Sequence, residues 1–113
     1  WMQILNDFSD DVIDYSGLES FRENHWQKQL HLFEVPFYYI EYGIAQLGAI
    51  GMWMQYKKNP EQALDNYMKA LGLGGTKTLP ELYKTAGLTF DFSPENIKVL
   101  MDFVNEEMEK LNS

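Results

Sequence analysis

Apolar positions along this chain recur at helical rather than strand spacing. Ile4, Leu5, Phe8, Val12 and Ile13 lie close to the i, i+4, i+8 rule and predict a helix over residues 1–14. The pattern breaks near Tyr15-Ser16-Gly17. Leu18, Phe21, His25 or Trp26, and Leu32 then predict a second helix over about residues 18–32. Glu34-Val35-Pro36 has to leave helical geometry, because the residue before a proline avoids the α region. A third helix is predicted from about Phe37 to Lys57. It is apolar on nearly every side from Tyr42 to Met54, which predicts a place at the centre of a bundle.

Start signals make the rest easier to divide. Asn59-Pro60-Glu61 opens a fourth helix that stops before Gly72-Leu73-Gly74-Gly75-Thr76. Thr78, Pro80 and Glu81 open a short fifth helix that closes at Gly87. Ser93-Pro94-Glu95 opens the last, over residues 94–111, with Ile97, Leu100, Met101, Val104, Met108 and Leu111 in one stripe. Residues 88–92 alternate briefly but are too few and too isolated for a strand. The expected fold is all-α, a multi-helix bundle, with residues 1–113 forming a single helical module.

Composition narrows the functional classes. A net charge of −8 argues against a surface that tracks nucleic-acid phosphates. The acidic residues are spread along the chain and serve mainly solubility. Without cysteine there are no disulfides or thiolate metal sites; a reducing compartment is allowed, and the cytoplasm is the expected location. The first residues lack the basic start and apolar core of a signal peptide. The chain opens on Trp1 in mid-pattern, which predicts a piece of a longer protein. The third helix is interrupted by Glu41 and Gln46, and its apolar run falls short of the roughly 20 residues a bilayer requires, so no membrane span is expected.

Three features invite a chemical reading. The glycine-rich run before Lys77 follows no strand, so it reads as a helix stop and not as a phosphate loop. His25 and His31 are six residues apart, on nearly opposite helix faces, and no H-E-x-x-H is present. The chain therefore has no self-sufficient zinc site, and His31 is expected to hydrogen-bond and not to ligate a metal. The spacing of Ala63, Tyr67, Ala70 and Leu71 looks like one helix of a tetratricopeptide repeat, yet nothing repeats 34 residues away on either side. Gly43, Gly48 and Gly51 each cost about 1 kcal/mol relative to alanine inside a helix. Close packing of another helix on the strip Ala45, Gly48 and Ala49 would repay this, and so would room for a ligand.

The most unusual stretch is Tyr38, Tyr39, Glu41 and Tyr42, just after Pro36 and downstream of His31. On a helix Tyr38 and Tyr42 would be i, i+4 neighbours and Tyr39 and Tyr42 i, i+3 neighbours. Filling the core is the plain explanation of any one of these tyrosines. For all three plus a carboxylate it leaves many groups to satisfy, at about 1–3 kcal/mol for each left unpaired. A cleft removes that difficulty, because a phenol is neutral at pH 7 and donates well to an oxyanion.

The segment "WQKQLHLFEVPFYYIEYGIAQLGAIGMW" resembles the region downstream of the zinc motif in oligoendopeptidase F-type metallopeptidases, members of the thimet-oligopeptidase-like family. "GLGGTKTLPELYKTAGL" and the proline-started last helix resemble the end of such enzymes, so the resemblance covers nearly the whole chain. It implies the C-terminal part of a larger helical metallopeptidase fold that encloses a cleft. It also implies an enzyme that cleaves short peptides internally, with zinc held by residues outside this chain. In that family a histidine and tyrosines downstream of the zinc motif bind substrate and stabilise the tetrahedral oxyanion. The matching residues here are His31, Tyr39 and Tyr42 as catalytic groups, with Tyr38 and His31 binding substrate. The loop between His31 and the tyrosines is shorter here and carries Pro36, so Tyr38 and Tyr39 both remain open for the cleft-facing place. Glu41 is expected to orient a tyrosine or His31. The piece alone is expected to bind no zinc, to lack activity, and to self-associate through surface that was interior in the parent. The alternative is a non-catalytic helical module that grips a protein partner through Ala45, Gly48 and Ala49 and the stripe on the last helix.

Overall fold

A computed structural model describes residues 1–9 and 12–112 of the chain. The described residues form seven α-helices and two 3-10 helices, with no strand, so the all-α expectation holds. They pack as two units, residues 1–40 and 41–113, and each is described on its own.

The first unit departs most from the periodicity. α1 is Met2–Phe8, about half the helix predicted over 1–14. Asp10 and Asp11 lie outside the described residues, while Val12 and Ile13 form a turn and a bend. The second predicted helix is three pieces: α2, Glu19–Asn24; a 3-10 turn, His25–Lys28; and α3, His31–Glu34. Helices this short have too few internal hydrogen bonds to offset nucleation and depend on packing. Packing is thin here, since none of the described residues in 1–40 is buried. Arg22 holds much of what there is. Its carbonyl accepts from the Trp1 indole N–H at 3.1 Å, its Nη2 donates to Ser9 Oγ at 3.2 Å, and its guanidinium lies 4.6 Å from the centre of the Tyr15 ring.

The second unit follows its start signals closely. α4, Ile40–Lys58, begins three residues later than expected. α5 is Pro60–Leu73, with the Asn59 side chain accepting from the Gln62 N–H at 3.2 Å. The glycine-rich run ends α5 and makes a 3-10 turn, Gly74–Thr76. α6 is Leu79–Thr85, and at its start the Glu81 carboxylate accepts from the Thr78 N–H and hydroxyl at 3.0 and 2.8 Å. α7 is Pro94–Leu111, with Ser93 Oγ accepting from the Asn96 N–H.

α4 is not the enclosed central helix its composition predicts. Of its residues only Gly51 is buried, while Tyr42, Trp53 and Tyr56 are exposed. Its apolar surface exceeds what α5, α6 and α7 cover. The core of this unit is small: Ala63, Ala86 and Leu100, with Gly51. Leu100 is the buried member of the stripe on α7, and Met101, Met108 and Leu111 of the same stripe face solvent.

Side chains join the helices at a few points. The Tyr83 hydroxyl of α6 donates to the Ile44 carbonyl of α4 at 2.6 Å. A Cβ on Gly48 would stand 2.6 Å from that hydroxyl, and one on Gly51 would stand 2.9 Å from a Leu88 methyl. These two glycines therefore serve close approach. Trp53 of α4 meets Phe103 of α7 edge-on at 4.8 Å, and Tyr83, Phe90 and Phe92 form a chain of edge-to-face contacts. Gly87, at φ +76, follows α6; its carbonyl accepts from Gln55 Nε2. A Cβ there would stand 2.9 Å from Asn66 Nδ2 and 3.1 Å from Gln55 Oε1.

Glu107 of α7 is a buried charge, 8% exposed, and the periodicity gave no sign of it. It sits between two ammonium groups, Lys57 and Lys110, each at 2.6 Å. Hydrogen bonds from Lys110 and then Lys57 hold its carboxyl below the usual glutamate range, against the opposing effect of burial.

Candidate functional site

The residues that raised a chemical question fall into two places. His31, Tyr38 and Tyr39 belong to the first unit. His31 opens α3, and Val35 then departs from helical geometry at φ −138, ψ 81, as its place before Pro36 requires. Residues 36–39 form a turn. Within it Phe37 takes φ +65, a left-handed conformation that bulky residues rarely adopt. This turn carries both tyrosines back toward the imidazole. The His31 ring is nearly parallel to Tyr38, with centroids 6.2 Å apart, and meets Tyr39 at a steep angle with centroids 5.6 Å apart. Both separations are in the range where aromatic rings attract.

The turn also corrects one expectation. Because α4 starts at Ile40, Tyr38 and Tyr39 are not helical, and the i, i+3 and i, i+4 spacing that joined them to Tyr42 on one helix does not apply. Local contact with His31, which the spacing did not suggest, unites Tyr38 and Tyr39 instead. Each is 43% exposed, and His31 is half-buried between them and its own helix. The phenols are thus neither sealed in a core nor fully surrounded by water.

Tyr42 and Glu41 belong to the first turn of α4 in the second unit. Tyr42 is 53% exposed. Glu41 is exposed and lines one end of an open cleft of about 760 Å³ between α4, α5 and α6. Trp53, Tyr56, Leu64, Tyr67, Leu71 and Leu79 give the cleft its apolar and aromatic walls. Sequence reasoning reached only its edge, through Ala45, Gly48 and Ala49. The rest was hidden because the sequence marks α5 and α6 only as helices between a start signal and a stop, with nothing to show which faces would meet. Tyr83 also lines this cleft, and burial pushes its phenol above the usual tyrosine value, so it remains a neutral donor.

Among the described residues no group of three or more His, Asp or Glu side chains could hold a metal ion. No helix among them is long and apolar enough to cross a membrane. No family model, curated protein or solved structure matches this chain.

Proposed function

We propose that these 113 residues are the C-terminal segment of a cytoplasmic zinc oligopeptidase of the oligoendopeptidase F type, supplying phenol and imidazole donors to a peptide substrate. The observation that carries the reading is the His31 ring set against both Tyr38 and Tyr39 in a half-exposed turn. The sequence resemblance supports it independently, since the same stretch bears the family-like motif. When bound, zinc would be held in this reading by polypeptide outside these residues, and the chemistry it would supply is polarisation of the scissile carbonyl and of the attacking water.

The chain's own residues then do three things. The phenol of Tyr39 or Tyr42 donates a hydrogen bond to the carbonyl oxygen as negative charge develops on it. Such a donor stabilises the transition state more than the substrate and is worth roughly 3–4 kcal/mol. His31 hydrogen-bonds the bound peptide and, through its ring contacts, fixes the directions of Tyr38 and Tyr39. Tyr38 presents its ring face and hydroxyl to the substrate backbone.

The experiment is kinetic. In the zinc-loaded polypeptide that contains these residues, Tyr42→Phe and Tyr39→Phe are made and peptide cleavage is followed. At least one should lower kcat by about 10²–10³ with little change in KM. Undiminished kcat in both variants removes the phenols from the chemistry. A second reading, a non-catalytic helical interaction module, is favoured by the open apolar cleft on α4, α5 and α6. The coding sequence preceding Trp1 separates the two: an H-E-x-x-H there favours the peptidase, and a start codon beside Trp1 favours the module.

A further inference from the structure

The turn that follows α3 has a definite type. The Tyr38 N–H donates to the Val35 carbonyl at 3.1 Å, which closes a turn with Pro36 in second place and Phe37 in third. Proline second and a positive φ third, here +65 at Phe37, are the marks of a type II turn. The third place of that turn suits glycine or asparagine, because a Cβ is crowded there. This chain puts a phenylalanine in it. Strain of this kind persists only where the surrounding structure enforces it. With its side chain 96% exposed, Phe37 has almost no packing that could do so.

A neighbouring conformation relieves the strain. In a type I turn the third residue takes φ of about −90°, which phenylalanine adopts freely. Pro36 suits second place in both types, since its ring fixes a φ common to them. The hydrogen bond from the Tyr38 N–H to the Val35 carbonyl belongs to both as well. The two types differ by about half a revolution of one peptide group, the Pro36 carbonyl with the Phe37 N–H, between ends that stay put. We infer that this peptide group is a two-position switch, turning between the left-handed and the relaxed state of Phe37 while Val35, Tyr38 and the ring contacts of His31 keep their places. The carbonyl and the N–H of one peptide point to opposite sides. A flip therefore changes one side of the turn, next to Tyr38, from hydrogen-bond acceptor to donor. A polar chain bound there selects one state through the group it presents, by shifting the populations. The switch belongs to residues 35–38 alone and stands apart from the peptidase reading.

The test is made by NMR on the isotope-labelled 113-residue chain. Phe37→Gly favours the left-handed state, and Phe37→Ile, being β-branched, disfavours it strongly. The Pro36 Hα lies close to the N–H of residue 37 in a type II turn and far from it in type I. The nuclear Overhauser effect between them should be severalfold stronger in Phe37→Gly than in Phe37→Ile, with the unaltered chain between the two. Contacts between the ring protons of His31 and Tyr38 should be the same in all three. An effect as strong in Phe37→Ile as in Phe37→Gly would overturn the proposal, because the peptide would then be unable to turn. Loss of the His31–Tyr38 contact in Phe37→Ile would overturn it too, since the rearrangement would not be confined to one peptide. So would an unaltered chain that matches either variant, which would mean a single fixed state.

Discussion

The Tyr83 hydroxyl occupies the space that a side chain on Gly48 would fill, 2.6 Å from the Cβ position, and from there reaches the Ile44 carbonyl. One absent methyl group thus sets how closely α6 approaches α4. Gly48→Ala gains roughly 1 kcal/mol of helix propensity but forces the phenol aside, and overpacking of this kind costs about 1–3 kcal/mol. The net expectation is a loss of up to about 2 kcal/mol in urea denaturation. In a Tyr83→Phe background the same change should cost about 1 kcal/mol less, because the clashing oxygen is gone. Additive effects would show that the two positions do not share this space.

Glu107 makes stability pH-dependent. Lys110 and Lys57 hold its carboxyl lower in the folded chain than the ordinary value of 4.5. A group lowered by folding contributes fully above its unfolded value, and the contribution is lost as pH falls through the folded one. The Thr78 N–H and hydroxyl lower Glu81 in the same way. The urea midpoint should therefore hold steady from about pH 7 to pH 5 and fall below the ordinary glutamate value. Glu107→Gln should lower the midpoint at neutral pH and converge on the unaltered chain in acid. A variant whose pH profile runs parallel to that of the unaltered chain would take Glu107 out of this account.

Asn59 is the cap of α5, and its side chain accepts from the Gln62 N–H. Asn59→Ala should cost about 1 kcal/mol, and Asn59→Ser or Asn59→Asp much less. Equal losses in all three would indicate that the cap contact is not what matters there.

Phe37 sits at φ +65 with its side chain 96% exposed, so it has strain and almost no packing. Asparagine tolerates this backbone, and Phe37→Asn should raise the urea midpoint, by up to about 1 kcal/mol in stability. A lower midpoint would mean that the exposed ring contributes more than it costs.

Calorimetric titration of the 113-residue chain with zinc should give no saturating one-to-one heat, since the proposed metal ligands belong to other polypeptide. A tight stoichiometric site would overturn that assignment of the ligands.

What the sequence made legible was local chemistry. Asn59-Pro60, Thr78-Pro80 and Ser93-Pro94 mark the starts of α5, α6 and α7 to within a residue, because capping is decided by the residues at the cap itself. The helices predicted over 1–14 and 18–32 rested on apolar spacing alone. Spacing states which face would be buried and is silent on whether anything buries it; Ile4, Phe8, Leu18 and Phe21 remain exposed. α4 was misplaced for the same reason, since its apolar sides exceed what this chain covers. The site was half legible. His31, Tyr38 and Tyr39 stand out in the sequence, but its pattern places the helix start at Phe37, and that residue's left-handed backbone puts the start at Ile40 instead. The charge cluster at Glu107 joins positions 50 residues apart, 57 and 107, and no local pattern reports such a pairing.

The missing side chain at Gly87 leaves space in which amide groups from α4 and α5, those of Gln55 and Asn66, meet just past the end of α6. A Cβ at 87 would need both amides to give way and, at φ +76, would stay strained even then. Glycine is thus held at this position on two separate grounds, and relieving one leaves the other in force.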